Sequence, residues 1–281
     1  MKARPSQSNA APGRTRWRRG LAGDFDQVGL RRYLGGQAAV FWALILLTWL
    51  AYPSAHHFSI LTHTFSFLGS YNPEHNPRYW WLFSVAMSFW AVSELPVLGH
   101  LHRAFARERR GLAWLGTIGL VAGCAGLLLV GLFPDVRAEW RNGIRYTQVH
   151  TGAALLVAVG FGAGLVMYLL IWLLGVLRRA LGGDRRAGEE PALPGRVGWP
   201  LLFWCVCTGT CVFMVMRWER VYAGMKLAAA SAGRPIGSAW VEGLKTWYAF
   251  PLWENLAIDT LYLSLVWLAL TVRRDRAVPG G

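Results

Sequence analysis

Apolar residues in this chain run in long blocks, without the alternation of a half-buried strand. Six blocks stand out. They run from about Gln37 to Pro53, Tyr79 to Leu101, Leu112 to Phe133, His150 to Leu177, Trp199 to Met216 and Trp247 to Val272. Each comes close to the ~20 residues that a helix needs to cross the hydrocarbon of a bilayer. The pattern predicts an all-α fold, a polytopic transmembrane helix bundle of six spans. The sixth block is the most polar, because it carries Glu254 and Asp259.

The connections carry the charge. Of the 29 Lys and Arg residues, 20 fall in the amino tail, the second and fourth connections and the carboxyl tail, and 9 in the other three connections. Basic loops are retained on the cytoplasmic side, so both termini are expected there, and an even number of spans follows. Residues 1–34 read as a disordered basic tail, 35–273 as the six-helix transmembrane domain, and 274–281 as a short cytoplasmic tail. The segment before Gln37 has no apolar core of its own and no small-residue cleavage pattern follows, so it is not expected to be a signal peptide.

Composition sharpens this picture. Hydrophobic residues make up 54% of the chain and charged ones 16%, against about 25% charged in soluble domains. Sixteen tryptophans suit a protein with two membrane–water interfaces. A net charge of +14 raises nucleic-acid binding, but the charges lie between apolar blocks and not along one soluble face. Membrane lipids are therefore the expected partners, with a protein partner possible and no nucleic acid. The abundance of Arg, Gly and Ala suits a high-GC bacterial genome, and hence a multi-pass protein of a bacterial inner membrane. Cys124, Cys205, Cys207 and Cys211 all sit inside apolar blocks, as plain buried thiols with no disulfide framework.

Helix packing is also legible. Gly116, Gly119, Gly123 and Gly126 fall on one helix face, and the next span offers Gly160, Gly162 and Gly164. Small residues at such spacing let two backbones approach closely in lipid. In the long fifth connection, from about Trp218 to Thr246, Trp240, Leu244 and Trp247 share a helical face. They predict a short amphipathic helix at the outer surface.

Candidate chemistry gathers on the outer side. The first connection holds His56, His57, His63 and His75, the third holds Asp135 and Glu139, and His150 opens the fourth span. A metal would have to be assembled across loops from His57, His63, Asp135 and His150, since no compact metal motif occurs. A bis-histidine haem is disfavoured, because His100 and His102 lie at the opposite end from His150. No cofactor can be assigned. Asn255, Asp259 and Tyr262 form a polar stripe on the sixth span, and Glu94 lies deep in the second, just before Pro96. Carboxyls inside a membrane need a partner, a proton or a water pocket.

The stretch TFSFLGSYNPEHNPRYWWLF, from Thr64 to Phe83, resembles a pattern of the damage-regulated autophagy modulator family and its related prokaryotic membrane families. Ser66, Leu68 and Gly69 match a Ser-x-Leu-Gly element, followed by Asn76, Pro77 and Phe83. Phe133, Pro134 and Asp135 match a Phe-Pro-acidic run, and His150 a histidine opening the next span. The resemblance covers the six-span layout and leaves out the amino tail and the fifth connection. It implies an integral membrane protein without settled enzymology. It also draws attention to Ser66, Asp135 and His150.

Three readings follow. The first is a non-enzymatic membrane protein acting in lipid organisation, envelope sensing or regulation of a partner. The second is an outer-leaflet lipid-modifying enzyme, a metal-assisted hydrolase using His63, Asp135 and His150, with Ser66 orienting substrate. The third is a transporter that uses Asp259 and Glu94.

Overall fold

The computed structural model describes residues 20–54, 57–181 and 193–272. The expected tail up to residue 19, the core of the fourth connection and the carboxyl tail lie outside the described residues, as does His56. The architecture is helical: α1 Gln27–Leu50, α2 Trp80–Ala106, α3 Arg110–Leu132, α4 Tyr146–Ala180, α5 Gly198–Ser231, α6 Ile236–Gly243 and α7 Phe250–Thr271. The first five of these, apart from the short α6, are each long and apolar enough to cross a membrane. α7, at 22 residues, is long enough to cross but less apolar than these five, because Glu254 and Asp259 dilute it. The chain is thus a multi-pass helical membrane protein by length and composition.

The helices alternate in direction. One end of the bundle, the cap end, carries the connections 51–79 and 133–145. At the other end Gln27 of α1 donates to the Leu270 carbonyl of α7 at 3.4 Å, so the first and last long helices meet there. The segment leading into α1 docks at that same end. Gly23, at φ +71, lies against the backbone of Pro96 and His100, where a Cβ would collide. Arg103 holds the segment by donating to the Ala22 carbonyl at 2.6 Å.

Two boundaries differ most from the sequence reading. α1 begins ten residues earlier than expected, because Asp26 caps it by accepting from the Gly29 N–H and Leu30 and Leu34 continue the buried face. α5 does not stop near Met216 but runs on through Arg217, Glu219 and Arg220 to Ser231. At 1.5 Å per residue its 34 residues span about 50 Å, well beyond the hydrocarbon. Charge lowers hydropathy there without breaking the helix. Gly233, at φ +65, ends it. The Arg234 N–H donates to Ala229 O and the Gly233 N–H to Ala230 O, a Schellman closure.

The expected amphipathic helix is α6. Trp240 packs edge-on against Trp218 and Tyr222 of α5. Trp247 lies beyond α6 and is exposed, so it does not share that face. One feature departs from an all-helical fold. Glu139–Arg141 and Ile144–Arg145 form a small antiparallel hairpin, β1 and β2. Its turn residues Asn142 and Gly143 both have positive φ, and Asn-Gly is the favoured pair for such a turn.

The tightest seam lies between α3 and α4. A Cβ on Gly119 would sit 2.8 Å from the Gly164 nitrogen and 3.0 Å from the Gly160 oxygen. One on Gly126 would sit 2.7 Å from the Val157 nitrogen. Gly116 lies against the Tyr168 ring and Gly123 against Phe161. Gly162, one step off the face, meets nothing. Van der Waals contact between backbones drives helix association in lipid, where there is no hydrophobic effect to help. Gly119→Ala should therefore destabilise the protein by about 1–3 kcal/mol, read as a lower unfolding midpoint in detergent. Gly162→Ala should be neutral or slightly stabilising.

Candidate functional site

At the cap end the chain folds its polar residues into one network. Phe65–Gly69 is a turn of 3-10 helix that inserts Phe65 and Leu68 into the bundle. Gly69 is pressed onto the Phe83 ring of α2, leaving no room for a side chain. The Asn76 side chain donates to the Leu68 carbonyl at 3.1 Å and accepts from the Tyr79 N–H. Leu68, Gly69, Asn76 and Phe83 thus interlock.

Asn255 fastens this loop to α7. Its carbonyl accepts from the Phe65 N–H at 3.0 Å, and its amide donates to the carbonyls of Ile60 and His63 at 2.9 Å each. Asn255 is 2% exposed, and it pairs three backbone groups of the loop, of which the Phe65 N–H is fully buried and would otherwise be unpaired. The partner connection is tied in from the other side. Ser70 Oγ donates to the Asp135 carbonyl at 2.6 Å, and Ser66 Oγ to the Asp135 carboxylate at 3.4 Å. Thr64 Oγ1 lies 2.7 Å from Ser66 Oγ. The His150 Nδ1–H donates to the Phe133 carbonyl at 2.7 Å, closing the chain reversal that leads into α4.

The candidate metal ligands do not form a cluster. His57 is exposed, at φ 40. His63 Nδ1 lies 2.8 Å from Thr62 Oγ1, and its ring sits among Tyr52, Phe58 and Phe67. His150 is bound to backbone. Among the described residues no group of three His, Cys, Asp or Glu side chains is placed to hold a metal ion. Ser66 and Asp135, both candidates from the sequence, come together here, and Glu254 brings a second carboxyl within electrostatic reach of Asp135. The sequence reading did not single out Ser70. Its signal was an ordinary loop serine.

His75 stacks on Phe67 with ring centroids 4.0 Å apart. Burial pushes its pKa below the ordinary 6.5, and the carboxylates of Glu74 and Asp135 offset this only in part.

A second polar group lies inside the bundle, where the sequence pointed to Glu94. Gln37 of α1 donates to Glu94 Oε2 at 2.9 Å and to Ser93 Oγ at 3.0 Å. The Tyr33 hydroxyl donates to the Ser93 carbonyl at 2.6 Å. Tyr262 of α7 packs on Phe41, Trp42 and Trp90. Asp259 stands apart and half-buried; its Oδ1 has no hydrogen-bond partner among the described residues. All four cysteines are free, with Cys124 and Cys211 buried and Cys205 exposed.

Fold and site together define a multi-pass helical membrane protein with a hydrogen-bonded cap at one end and a buried polar group within. Comparisons with protein-family models, with curated proteins and with solved structures give no significant match.

Two outcomes are expected at the cap. Asn255→Ala strands at least one buried backbone N–H, and should cost about 1–3 kcal/mol, seen as a lower thermal midpoint in detergent. The second concerns pH. The folded state depresses the His75 pKa, so between that value and 6.5 the unfolded chain binds more protons. The stability from neutral His75 is present above 6.5 and is lost as pH falls below it. Thermal midpoints should therefore drop between about pH 7.5 and pH 5, and His75→Phe should flatten that dependence.

Proposed function

We propose that this chain is a non-enzymatic integral membrane protein of the bacterial inner membrane, with six spans and both termini cytoplasmic. On this reading it organises membrane lipid, or regulates a partner in the membrane, through its cap. The observation that carries the proposal is the use made of the polar cap residues. His150, Asn255 and Ser70 hold loop backbone in place, and the Asp135 carboxylate is engaged by Ser66, whereas a catalytic group would instead need to reach a substrate. The resemblance to families without settled enzymology agrees with this.

The rim of the cap suits a membrane surface. Tyr79, Trp81, Trp140 and Trp247 are exposed, as are Arg78, Arg137, Arg141 and Arg145. Amphipathic rings favour the headgroup level, and arginines attract anionic headgroups. The far end of α5 continues this character, with Lys226 over the Tyr222 ring and Arg217 over Tyr248.

The test is metal analysis and stability of the purified protein beside Asp135→Ala and His150→Ala. The proposal expects both variants to unfold at lower temperature with unchanged, substoichiometric metal. About one zinc, iron or manganese per chain in the parent protein, lost in both variants, would replace it with the hydrolase reading.

A further inference from the structure

The polar group between α1, α2 and α7 is not accounted for by the cap. Glu94 is 1% exposed, Gln37 3%, Trp90 0% and Tyr262 3%, so all four are sealed from solvent and lipid. They are brought together by the packing. Trp90 and Glu94 lie one turn apart on α2, Gln37 bonds Glu94 directly, and the Trp90 and Tyr262 rings lie 5.3 Å apart, with Phe41 against both.

Their hydrogen-bonding capacity is not spent. Gln37 uses both amide hydrogens, on Ser93 and Glu94. Its own Oε1, Glu94 Oε1, the Trp90 Nε1–H and the Tyr262 hydroxyl have no hydrogen-bond partner among the described residues. Two acceptors and two donors are thus left within one small buried region. Buried polar atoms are nearly always paired, and a water that enters such a site typically makes about three bonds to groups of this kind.

Charge points the same way. Tyr33 on α1, Cys124 on α3 and Tyr262 on α7 lie within electrostatic reach of Glu94. None of these is a cation, and α4 offers only the Phe161 ring, stacked on Trp90. Among the described residues the one ion pair, Arg234 with Glu242, lies elsewhere. A bare carboxylate in this setting has the Gln37 amide as its bonded donor, the Trp90 indole N–H close by, and no cation beside it among the described residues. A protonated carboxyl has a hydrogen to give as well as an oxygen to accept.

We propose that Glu94, Gln37, Trp90 and Tyr262 form an intramembrane proton-binding site, in which the Glu94 carboxylate takes up one proton to become the acid and a bound water completes its hydrogen bonds to Trp90 and Tyr262. Gln37 is a positioning residue: it holds Glu94 Oε2 and leaves Oε1 for the proton. The site is separate from Asp259, which this network does not touch. It does not depend on what the cap contacts.

Dicyclohexylcarbodiimide tests this, because it enters membranes and forms a stable N-acylurea only on protonated carboxyls. The full chain in phosphatidylcholine vesicles is treated across a pH series, and adducts are mapped by peptide mass. The expected result is an adduct on Glu94 that is at least about fivefold more abundant near pH 6 than near pH 9. Gln37→Leu and Tyr262→Phe should each move the midpoint of that dependence by about one pH unit or more. Infrared titration gives a second readout: a pH-dependent carboxylic C=O band lost in Glu94→Gln and kept in Asp259→Asn. If Glu94→Gln fails to fold, adduct mapping on the parent chain decides alone. No adduct on Glu94 at any pH, or one that does not vary with pH, overturns the proposal.

Discussion

Hydrocarbon offers no hydrogen-bond partners, and most of this structure is an answer to that constraint. Helices satisfy their own backbone; loops and polar side chains cannot, and must be satisfied by the protein around them. In this chain the irregular stretch from Ile60 to Asn76 lies over the ends of the helices with Phe65, Leu68 and Asn76 buried. One amide, Asn255, serves three of its backbone groups. Two serines then bind it to the connection before α4. The cap is the consequence of burying a loop and having to pair what was buried.

The same constraint is met in two different ways within the bundle. At the seam of α3 and α4 the hydroxyls of Thr117 and Tyr168 bond each other, and Thr117 also donates to the Ala113 carbonyl. These two helices use glycine to replace side-chain packing with backbone contact. α1, α2 and α7 take the opposite course and carry a carboxyl, an amide, an indole and a phenol into their shared interior. A chain under pressure for stability alone would fill that interior with apolar residues, since a buried polar group is at best neutral against a well-packed hydrocarbon one. That contrast is why Glu94 reads as a working group, whereas Asn255 reads as a fastener.

The amino-acid sequence made some of this legible and not the rest. Blocks of apolar residues gave the helices, because length and hydropathy are local properties. The glycine face of α3 was also local, and its partner residues Gly160 and Gly164 followed from the same spacing. Gly162 lies off that face and was included only because it sits between them. The end of α5 was misplaced because Arg217 and Arg220 end an apolar block without ending a helix; Gly233 followed by Pro235 was the available signal. The hairpin was announced by Asn142 and Gly143 but hidden in a connection read for its charges. Ser66 and Asp135 were expected on one side of the membrane, but nothing in the sequence joined them. Asn255 binding the loop from Ile60 to Phe65, and Gln37 binding Glu94, join residues far apart in sequence. No periodicity announces such pairs; only the packing of α7 and α1 against α2 does.

The central claim is that the cap is a folded, internally hydrogen-bonded part of the protein and not a set of loops held ready for chemistry. Amide hydrogen exchange of the chain in lipid nanodiscs tests it most directly. The account predicts that the amides of Phe65, Ser70 and Asn76 exchange orders of magnitude more slowly than an unstructured peptide, with protection lost together when Asn255 is replaced by Ala. Exchange of residues 60–76 at the rate of an open loop in the parent protein would contradict it.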